Sequence, residues 1–304
     1  MGGGSGGWGE PYDAERARQQ RESALEKERR LSEINNFLAE QLNAYNDRDT
    51  GGVQSRLDQI AQLLSDVIEG GVDRTLFGGS IAKHTYVDGL SDVDALVVLT
   101  GAESNSPAEL LDSFAETLRL RLPGASLAEV SVGTLAVTVR YTDGLEVQLL
   151  PAVDRGGKLA IASGDGQGWQ QIRPRKFAEK LTEVNKNNSG GVVPAIKLAK
   201  GLLEKRLPPA MKMGGYHLEA IAVDAFKNYH GPKSREAMLD HLVRHASNAV
   251  LKPTGDITGQ SVHVDSHLGA ANSSSRQSLA AALRRVSTQL ENGTVGEYKE
   301  LFGD

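Results

Sequence analysis

Two aspartates, Asp92 and Asp94, come immediately before a continuous apolar run at residues 95–99. Side chains alternate along an extended strand, so the two carboxylates share one face while Val93 points into the core. Mg²⁺ binds one or two carboxylates together with substrate phosphates, and a pair of ions about 3.5–4 Å apart can stabilise both oxygens of an in-line displacement. The pattern therefore predicts a site for two Mg²⁺ ions, or for Mn²⁺ in their place.

A glycine and serine segment, Gly78, Gly79 and Ser80, precedes this strand. Glycines let backbone N–H groups approach phosphate oxygens, a serine hydroxyl adds a donor, and a helix starting near Ser80 would direct its positive end at an anion. Neither half is specific alone, because the chain has 34 glycines and a second Asp-x-Asp at residues 47–49, which we expect to be a solvated loop. Together they predict a site that holds a nucleoside triphosphate on magnesium for nucleotidyl transfer.

The combined pattern resembles the bacterial CD-NTase family, the cGAS/DncV-like nucleotidyltransferases that make cyclic oligonucleotide signals in anti-phage (CBASS) defence. The resemblance begins with Gly79-Ser80, Thr85 and the Ser-Asp-Val-Asp sequence at 91–94. It continues in three later segments, which are LEVQLLPA at 145–152, AIKLAK at 195–200 and GYHLE at 215–219. The match runs from about residue 49 to the C-terminal helices.

The resemblance implies roles for single residues. Lys200 matches the lysine that contacts the donor phosphates, although with Lys197 it could also form a plain basic helix face. Tyr216 would stack on a nucleobase, or it is simply a half-buried helix residue. His84 stands where the family often has a glycine before the threonine.

The third metal carboxylate of the family is less well matched. Its usual position, three residues before the proline, is Gln148 in this chain. Glu146 lies two residues earlier on the same strand face, and we predict that it is the third acid. The alternative is that a turn with Gly144 in the left-handed region places Arg140 opposite Glu146, which is then only its ion-pair partner.

The resemblance implies an α+β fold. A nucleotidyltransferase (polymerase beta-like) lobe with a mixed sheet would face a helical C-terminal lobe across a substrate cleft. We expect a glycine-rich leader and an N-terminal helix at 1–48, a nucleotidyltransferase core at 49–170 and a helical lobe at 171–304.

Apolar periodicity and capping residues predict the elements of these parts. The glycine-rich stretch 154–168 is predicted to be a mobile loop over the site. Asp49 or Thr50 is expected to cap the second helix. Strands are predicted at 127–132, 135–141 and 145–150, and later helices at 108–122, 175–187, 192–205, 216–229, 234–246 and 274–291.

Composition limits the possible partners. The chain has no cysteine, which excludes disulfides and cysteine-ligated zinc. A net charge of −5 argues against a broad nucleic-acid surface, since phosphate binding needs clustered lysine and arginine. No apolar run approaches the ~20 residues of a membrane helix, and no signal peptide opens the chain, so we expect a cytoplasmic protein without a membrane partner.

Two histidine groups are weaker candidates for metal sites. His241 and His245 are four residues apart on a predicted helix, where a solvated face is the simpler interpretation. His263, Asp265 and His267 alternate as on a strand, and we expect a polar surface or packing within the helical lobe.

The sequence thus predicts a Mg²⁺-dependent enzyme that joins nucleoside triphosphates, ATP among them, into a cyclic di- or trinucleotide with release of pyrophosphate. A regulatory protein partner would order the site. A non-cyclising nucleotidyltransferase, a degenerate nucleotide-binding regulator and a tRNA-end or poly(A)-type polymerase remain alternatives. The acidic balance speaks against the polymerase.

Overall fold

The computed structural model describes residues 10–46, 50–68, 70–87, 90, 92–102, 105–122, 127–163, 166–256 and 263–303. The leader at 1–9, the second Asp-x-Asp at 47–49 and the proposed cap Asp49 lie outside these residues. Within them, no helix is long and apolar enough to cross a membrane.

The helices follow the predicted positions closely. Pro174 occupies the first turn of its helix, as its fixed φ favours. The α-helices are α1 Glu10–Asn46, α2 Thr50–Ser65, α3 Gly79–Ala82, α4 Pro107–Arg121, α5 Pro174–Asn187, α6 Val192–Arg206, α7 Gly215–Phe226, α8 Arg235–Ala249, α9 Ser274–Asn292 and α10 Val295–Phe302, with 3₁₀ turns at Pro209–Met211 and Ser266–Leu268.

The described strands form one mixed sheet. Its main order is β1-β2-β5-β4-β3, with β6 pairing β5 and β7 pairing β6. Only β2 and β5 are parallel, and the other neighbours are antiparallel. The strands are β1 Val72–Phe77, β2 Val93–Leu99, β3 Leu127–Val132, β4 Val137–Tyr141, β5 Glu146–Asp154, β6 Leu159–Ala162 and β7 Trp169–Gln171.

The central position of β2 explains its apolar sequence. Apart from Asp94, every residue of β2 is buried, because strands cover both edges and side chains cover both faces. The face with Ala95 and Val97 packs in a cluster with α2 and α4, while Leu96 and Val98 contact a smaller cluster on the opposite face. Such burial contributes about 1.5–3 kcal/mol for each large side chain.

A second, larger cluster lies among the helices. It joins the C-terminal part of α1, including Phe37 and Leu38, to α5 through α10. Phe37 stacks edge-on against Phe302 of α10 at a centroid distance of 5.7 Å. The N-terminal helix therefore packs with the C-terminal helices, although the whole sheet lies between them in the sequence.

The predicted mobile loop at 154–168 is wrong in part, because β6 lies within it. Leu159–Ala162 pairs with β5 on one side and β7 on the other, and Ala160 and Ile161 are buried. The flanking glycines, which have positive φ at Gly156 and Gly157, suggested irregular structure over the whole stretch. The four apolar residues between them form a short strand because the edge of β5 is available for pairing.

Helix α10 was not predicted, although its start carries a clear signal. Thr294 accepts a hydrogen bond from the N–H of Glu297, and the Glu297 carboxylate accepts one from the N–H of Thr294. This reciprocal arrangement is a capping box, and Thr-x-x-Glu is its sequence pattern.

Candidate active site

A cleft between the sheet and the helical cluster brings most of the predicted site residues together. Gly79, Ser80, Asp92 and Asp94 line it from the sheet side. The helical side contributes two sets of lining residues, from α6 and from the segment that leads into α7. The complete lining is Gly79, Ser80, Lys83, Leu90, Asp92, Asp94, Lys200, Leu203, Glu204, Lys212, Met213, Gly215, Tyr216, Leu218 and Glu219.

The two glycines allow the turn after β1 to lie against Asp94. The Gly78 N–H donates to the Asp94 carbonyl oxygen at 2.8 Å, which extends the β1-β2 ladder by one bond. Gly79 has a φ of +47°, and a Cβ there would lie 1.5 Å from Asp94 Oδ2. Only glycine therefore permits both this backbone conformation and this close approach of the carboxylate.

The hydroxyl of Ser80 lacks a partner. Its side chain is buried, and Ser80 Oγ makes no hydrogen bond within the described part of the chain. A buried polar atom without a partner is costly unless a ligand satisfies it. Because Ser80 lines the cleft, the phosphate of a bound nucleotide would supply the missing acceptor.

Asp92 and Asp94 occupy the positions predicted for them. Asp94 is the second residue of β2 and Asp92 lies just before the strand, with Val93 fully buried between them. The pKa of Asp94 is raised to about 6, mainly by burial; the positive charge of Lys83 opposes this rise, and the negative charge of Asp92 contributes to it. Burial also raises the pKa of Asp92, with a smaller contribution from the Glu146 carboxylate.

Gln148 stands beside the aspartates in the sheet. The parallel register pairs Asp94 with Gln148, and the Gln148 side-chain amide donates to Asp92 Oδ2 at 2.9 Å. It also approaches Glu146 Oε1 at 3.5 Å. The residue that replaces the family's usual third acid is thus in direct contact with the first aspartate.

Glu146 is held by a different partner. The register places Arg140 opposite it, and Arg140 Nε donates to Glu146 Oε2 at 2.7 Å. Gly144 has a φ of +91°, as the predicted hairpin turn requires. The interpretation of Glu146 as the partner of Arg140 therefore agrees with the structure, and its role as the third acid stays a prediction.

The donor set near Asp92 suits a hard divalent cation. Burial is the largest cause that raises the pKa values of both carboxylates, and the charge of Glu146 adds to it at Asp92 as the charge of Asp92 does at Asp94, so a bound cation would stabilise their charged forms. Among the described residues, however, no group of three histidine, aspartate or glutamate side chains is close enough to share an ion. Asp92 and Asp94 alone suit Mg²⁺, because this ion usually binds one or two carboxylates and takes its other ligands from substrate phosphates and water.

Lys200 lies at the opposite wall of the cleft. It is buried, and its Nζ donates to the Thr85 carbonyl oxygen at 3.0 Å and to Glu219 Oε1 at 2.8 Å. Lys197 points elsewhere and donates to Asn46. Of the two lysines considered from the sequence, Lys200 is the one that reaches the cleft.

Four charged residues that line the cleft were missed from the sequence, namely Lys83, Glu204, Lys212 and Glu219. Lys83 follows α3 and forms an ion pair with Glu219, whose side chain is 1% exposed. A glutamate within the apolar sequence Leu218–Ile221 of α7 is a signal for a buried charge. No comparable pattern marks Lys83.

Tyr216 combines both interpretations considered for it. Its ring packs edge-on against Phe177 at 4.9 Å, and its hydroxyl donates to Asp256 Oδ1 at 2.7 Å. It also lines the cleft. The tyrosine is therefore a half-buried helix residue that also forms part of the cleft wall.

The backbone conformation of His84 is one that glycine favours, which agrees with the glycine that the resemblance leads us to expect at this position. Its φ is +58°, in the left-handed region that glycine adopts without strain. The side chain is exposed, and it is absent from the cleft lining. Histidine in place of the expected glycine therefore affects the backbone conformation next to Thr85 and adds no side chain to the cleft lining.

The other candidate metal groups are structural in the residues described. Asp265 is fully buried and accepts from Arg276 Nη1 at 2.7 Å, and it lies 3.3 Å from Nε2 of His217. His241 contacts the Ala225 carbonyl oxygen at 3.0 Å. Packing within the helical cluster accounts for Asp265, which is one of the two interpretations predicted for its group. His241 instead packs against Phe226 and Tyr229, so the predicted solvated helix face is wrong for this histidine.

A family model for the Second Messenger Oligonucleotide or Dinucleotide Synthetase domain matches residues 30–185. A "Cyclic AMP-AMP-AMP synthase" of Escherichia coli (strain MS 115-1) is 34% identical over 196 residues, which are 59% of this chain and 60% of the relative. The matching region thus spans about three fifths of that protein's length.

Two solved structures are similar in fold. CdnG, a CD-NTase of Bradyrhizobium diazoefficiens solved in complex with GTP, is 16% identical with a TM-score of 0.66, over 89% of this chain and 96% of that chain. E. coli MS115-1 CdnC, solved in a CdnC:HORMA-deltaN complex, is 17% identical with a TM-score of 0.60, over 83% and 90% respectively. These likenesses confirm the predicted α+β nucleotidyltransferase fold.

Proposed function

Because the chain belongs to the Second Messenger Oligonucleotide or Dinucleotide Synthetase family, we propose that it joins nucleoside triphosphates into a cyclic oligonucleotide and releases pyrophosphate. The observation that carries the proposal is one cleft that brings together an aspartate pair, an unpartnered serine hydroxyl and a buried lysine. Ser80 lies beside the aspartates on the sheet side, and Lys200 faces them from the opposite wall.

The donor nucleotide is held from both sides of the cleft. Ser80 donates to a phosphate oxygen, and Lys200 neutralises charge on the triphosphate. Tyr216 offers its ring to the nucleobase, where stacking contributes about 1–3 kcal/mol. The hydroxyl of Tyr216 is fixed by Asp256, so the ring is already oriented before the nucleotide binds.

Asp92 and Asp94 would hold Mg²⁺, or Mn²⁺. When bound, the metal would lower the pKa of a ribose hydroxyl of the acceptor and stabilise the pyrophosphate leaving group. Glu146 completes the carboxylate set if it leaves Arg140. In each step the ribose oxygen forms a bond to the α-phosphorus, and the bond from that phosphorus to pyrophosphate breaks.

The ring size is proposed to be two or three nucleotides, with ATP among the substrates. The AMP units named for the E. coli relative support this substrate. The CdnC complex with HORMA-deltaN supports a regulatory protein partner for this chain as well. We place the enzyme in the cytoplasm, where nucleoside triphosphates are made, and in anti-phage defence, as the family resemblance implies.

Mass spectrometry of the products from all four nucleoside triphosphates, with Mg²⁺ or Mn²⁺, tests the proposal. We expect a cyclic product resistant to phosphatase and to a 3′-5′ exonuclease, and no product from the variant Asp92→Ala/Asp94→Ala. A phosphatase-sensitive product would instead identify a non-cyclising nucleotidyltransferase.

A degenerate nucleotide-binding regulator is the second candidate, and the contact between Gln148 and Asp92 favours it. An amide in place of the third acid leaves the metal fewer negative ligands. Binding of ATP without any aspartate-dependent product, in every nucleotide mixture and with either metal, would favour the regulator, or an enzyme that is inactive until its proposed protein partner binds.

A further inference from the structure

A buried glutamate lies between two lysines at the phosphate end of the cleft. Glu219 Oε1 accepts from Lys200 Nζ at 2.8 Å, and Glu219 Oε2 forms an ion pair with Lys83. The side chains are 1%, 7% and 11% exposed respectively. Thr85 Oγ1 also donates to Glu219 Oε1. An unpaired charge would be very unfavourable at this depth, so the three groups form one unit.

This unit connects the two sides of the cleft. Lys83 is the residue that ends α3, the short helix that carries Gly79 and Ser80. Lys200 lies on α6 and Glu219 on α7. The glutamate therefore attaches the phosphate-binding turn of the sheet side to both helices of the opposite wall.

Aromatic rings restrict Lys83 further. Its Nζ lies 4.9 Å from the centre of the Tyr216 ring and 5.2 Å from that of Phe177. Cation–π contacts of this length favour one position of the ammonium group. Lys83 is thus directed into the cleft beside Lys200 instead of into solvent.

The charges around Lys200 oppose one another. Burial lowers the pKa of Lys200, whereas the negative charges of Glu219 and Asp94 raise it and the positive charge of Lys83 lowers it. Glu219 is the strongest of the groups that keep Lys200 protonated. Without it, two ammonium groups would face each other in a buried position.

We propose that Glu219 is a positioning residue that holds Lys83 and Lys200 together, so that one cation from each side of the cleft faces the triphosphate of the donor nucleotide. Lys83 is thereby a second phosphate-binding cation. The inference rests on the proposed function for the identity of the ligand, but the arrangement of the lysines is a property of the protein alone.

Binding of ATP to Glu219→Gln, measured by calorimetry, tests the positioning role. Simple repulsion predicts tighter binding, since the variant removes a negative charge near the phosphates. Positioning predicts affinity about tenfold weaker, since the lysines lose their orientation. It also predicts a smaller loss at lower pH, because removing the Glu219 charge lowers the pKa of Lys200 further. Glu183→Gln is the matched control, because Glu183 pairs with Lys180 at 3.0 Å on the exposed surface of α5.

In Glu219→Gln, Lys83 and Lys200 both lose their ion-pair partner inside the protein, which could also destabilise the fold. A second variant avoids this problem. Lys83→Met/Glu219→Gln removes one positive and one negative charge and so leaves the net charge of the unit unchanged. Positioning predicts that this variant also binds ATP about tenfold more weakly than wild type. Unchanged affinity in both variants, or tighter binding in Glu219→Gln at every pH, would overturn the proposal.

Chemical labelling of lysines separates this inference from the proposed function. Acetylation followed by mass spectrometry should show faster modification of Lys200 in Glu219→Gln, relative to the exposed Lys176, because the neutral amine is the reactive form. Equal labelling in variant and wild type would show that Glu219 does not control Lys200. If wild type binds none of the four nucleotides, the proposed function fails, while the labelling still decides the arrangement of the lysines.

Discussion

At the scale of single residues, two buried serines show how burial and function differ. Ser247 Oγ donates to the Arg244 carbonyl oxygen at 2.8 Å, so its hydroxyl stabilises the helix end in which it lies. Ser80 is buried to a similar degree, but its hydroxyl has no partner in the part of the chain that the structure describes. A ligand that accepts a hydrogen bond from the Ser80 hydroxyl would therefore gain binding free energy without breaking a bond within the protein.

We predict that Ser80→Ala weakens nucleotide binding about tenfold or more, because a hydrogen bond to a charged phosphate contributes about 1.5–3 kcal/mol. The free energy of unfolding of the nucleotide-free protein should rise by about 1 kcal/mol, since the variant removes a buried hydroxyl that has no protein partner. Ser247→Ala is the control with the opposite behaviour: it should lower stability by about 1 kcal/mol and leave binding unchanged. Calorimetry and urea unfolding measure both quantities. Unchanged nucleotide affinity in Ser80→Ala would exclude the serine from the phosphate site.

At the scale of elements, the hairpin of β4 and β5 decides which side chains reach the proposed metal site. Alternation along β5 puts Glu146 and Gln148 on the same face, and the parallel register with β2 brings that face next to Asp92 and Asp94. The antiparallel neighbour β4 supplies Arg140, which binds Glu146 and Glu129 at 2.7 and 2.9 Å. Competition between Arg140 and the metal would determine how strongly Glu146 acts as a ligand.

We predict that Arg140→Gln lowers the Mg²⁺ concentration required for half-maximal activity several-fold, because it frees Glu146 for the metal. Glu146→Gln should raise that concentration, since it removes a charged ligand. Glu129→Gln serves as the control, because it changes the surroundings of Arg140 without removing the Glu146 pair. A Mg²⁺ titration of activity measures the effect. If neither Arg140→Gln nor Glu146→Gln moves the midpoint, Glu146 is only the partner of Arg140.

At the scale of the whole molecule, a buried polar network joins the segment before α9 to α7. Arg276, fully buried, donates to Asp265 and to the carbonyl oxygens of Val250 and Lys252 at 2.7–3.1 Å. Asp265 in turn lies next to His217, which follows Tyr216 in α7. The network fixes the helical wall of the cleft, so its protonation should influence the stability of the entire fold.

Burial lowers the pKa of His217 to about 4, against an ordinary value of 6.5. Between these values the unfolded chain binds a proton at this site and the native chain does not, so the free energy of unfolding falls as pH decreases from about 6.5 to about 4. We predict a loss of roughly 3 kcal/mol from this residue over that window. Urea unfolding at several pH values measures it, and His217→Gln should remove that part of the slope. An equal slope in wild type and variant would contradict the prediction.

The sequence by itself determined most of the helices, the central strands and the placement of the two aspartates. The buried strand β2 follows from an apolar run, and the placement of Asp92 and Asp94 follows from the alternation of side chains along that strand. Gly79 and Ser80 were recognisable because a phosphate-binding turn needs small residues with free backbone N–H groups. The strand, the aspartate pair and the glycine-serine turn each depend on residues that are close together in the sequence, so a local sequence pattern is enough to predict them.

Only the tertiary structure decided how distant charges pair. Glu219 meets Lys83, 136 positions away, and Gln148 meets Asp92 across a parallel pair of strands. No local pattern contains these pairings, because they depend on the register of the sheet and on how α6 and α7 pack against the turn after β1. Burial makes these pairings necessary for stability, since a charge inside the protein requires a partner whatever its distance in the sequence.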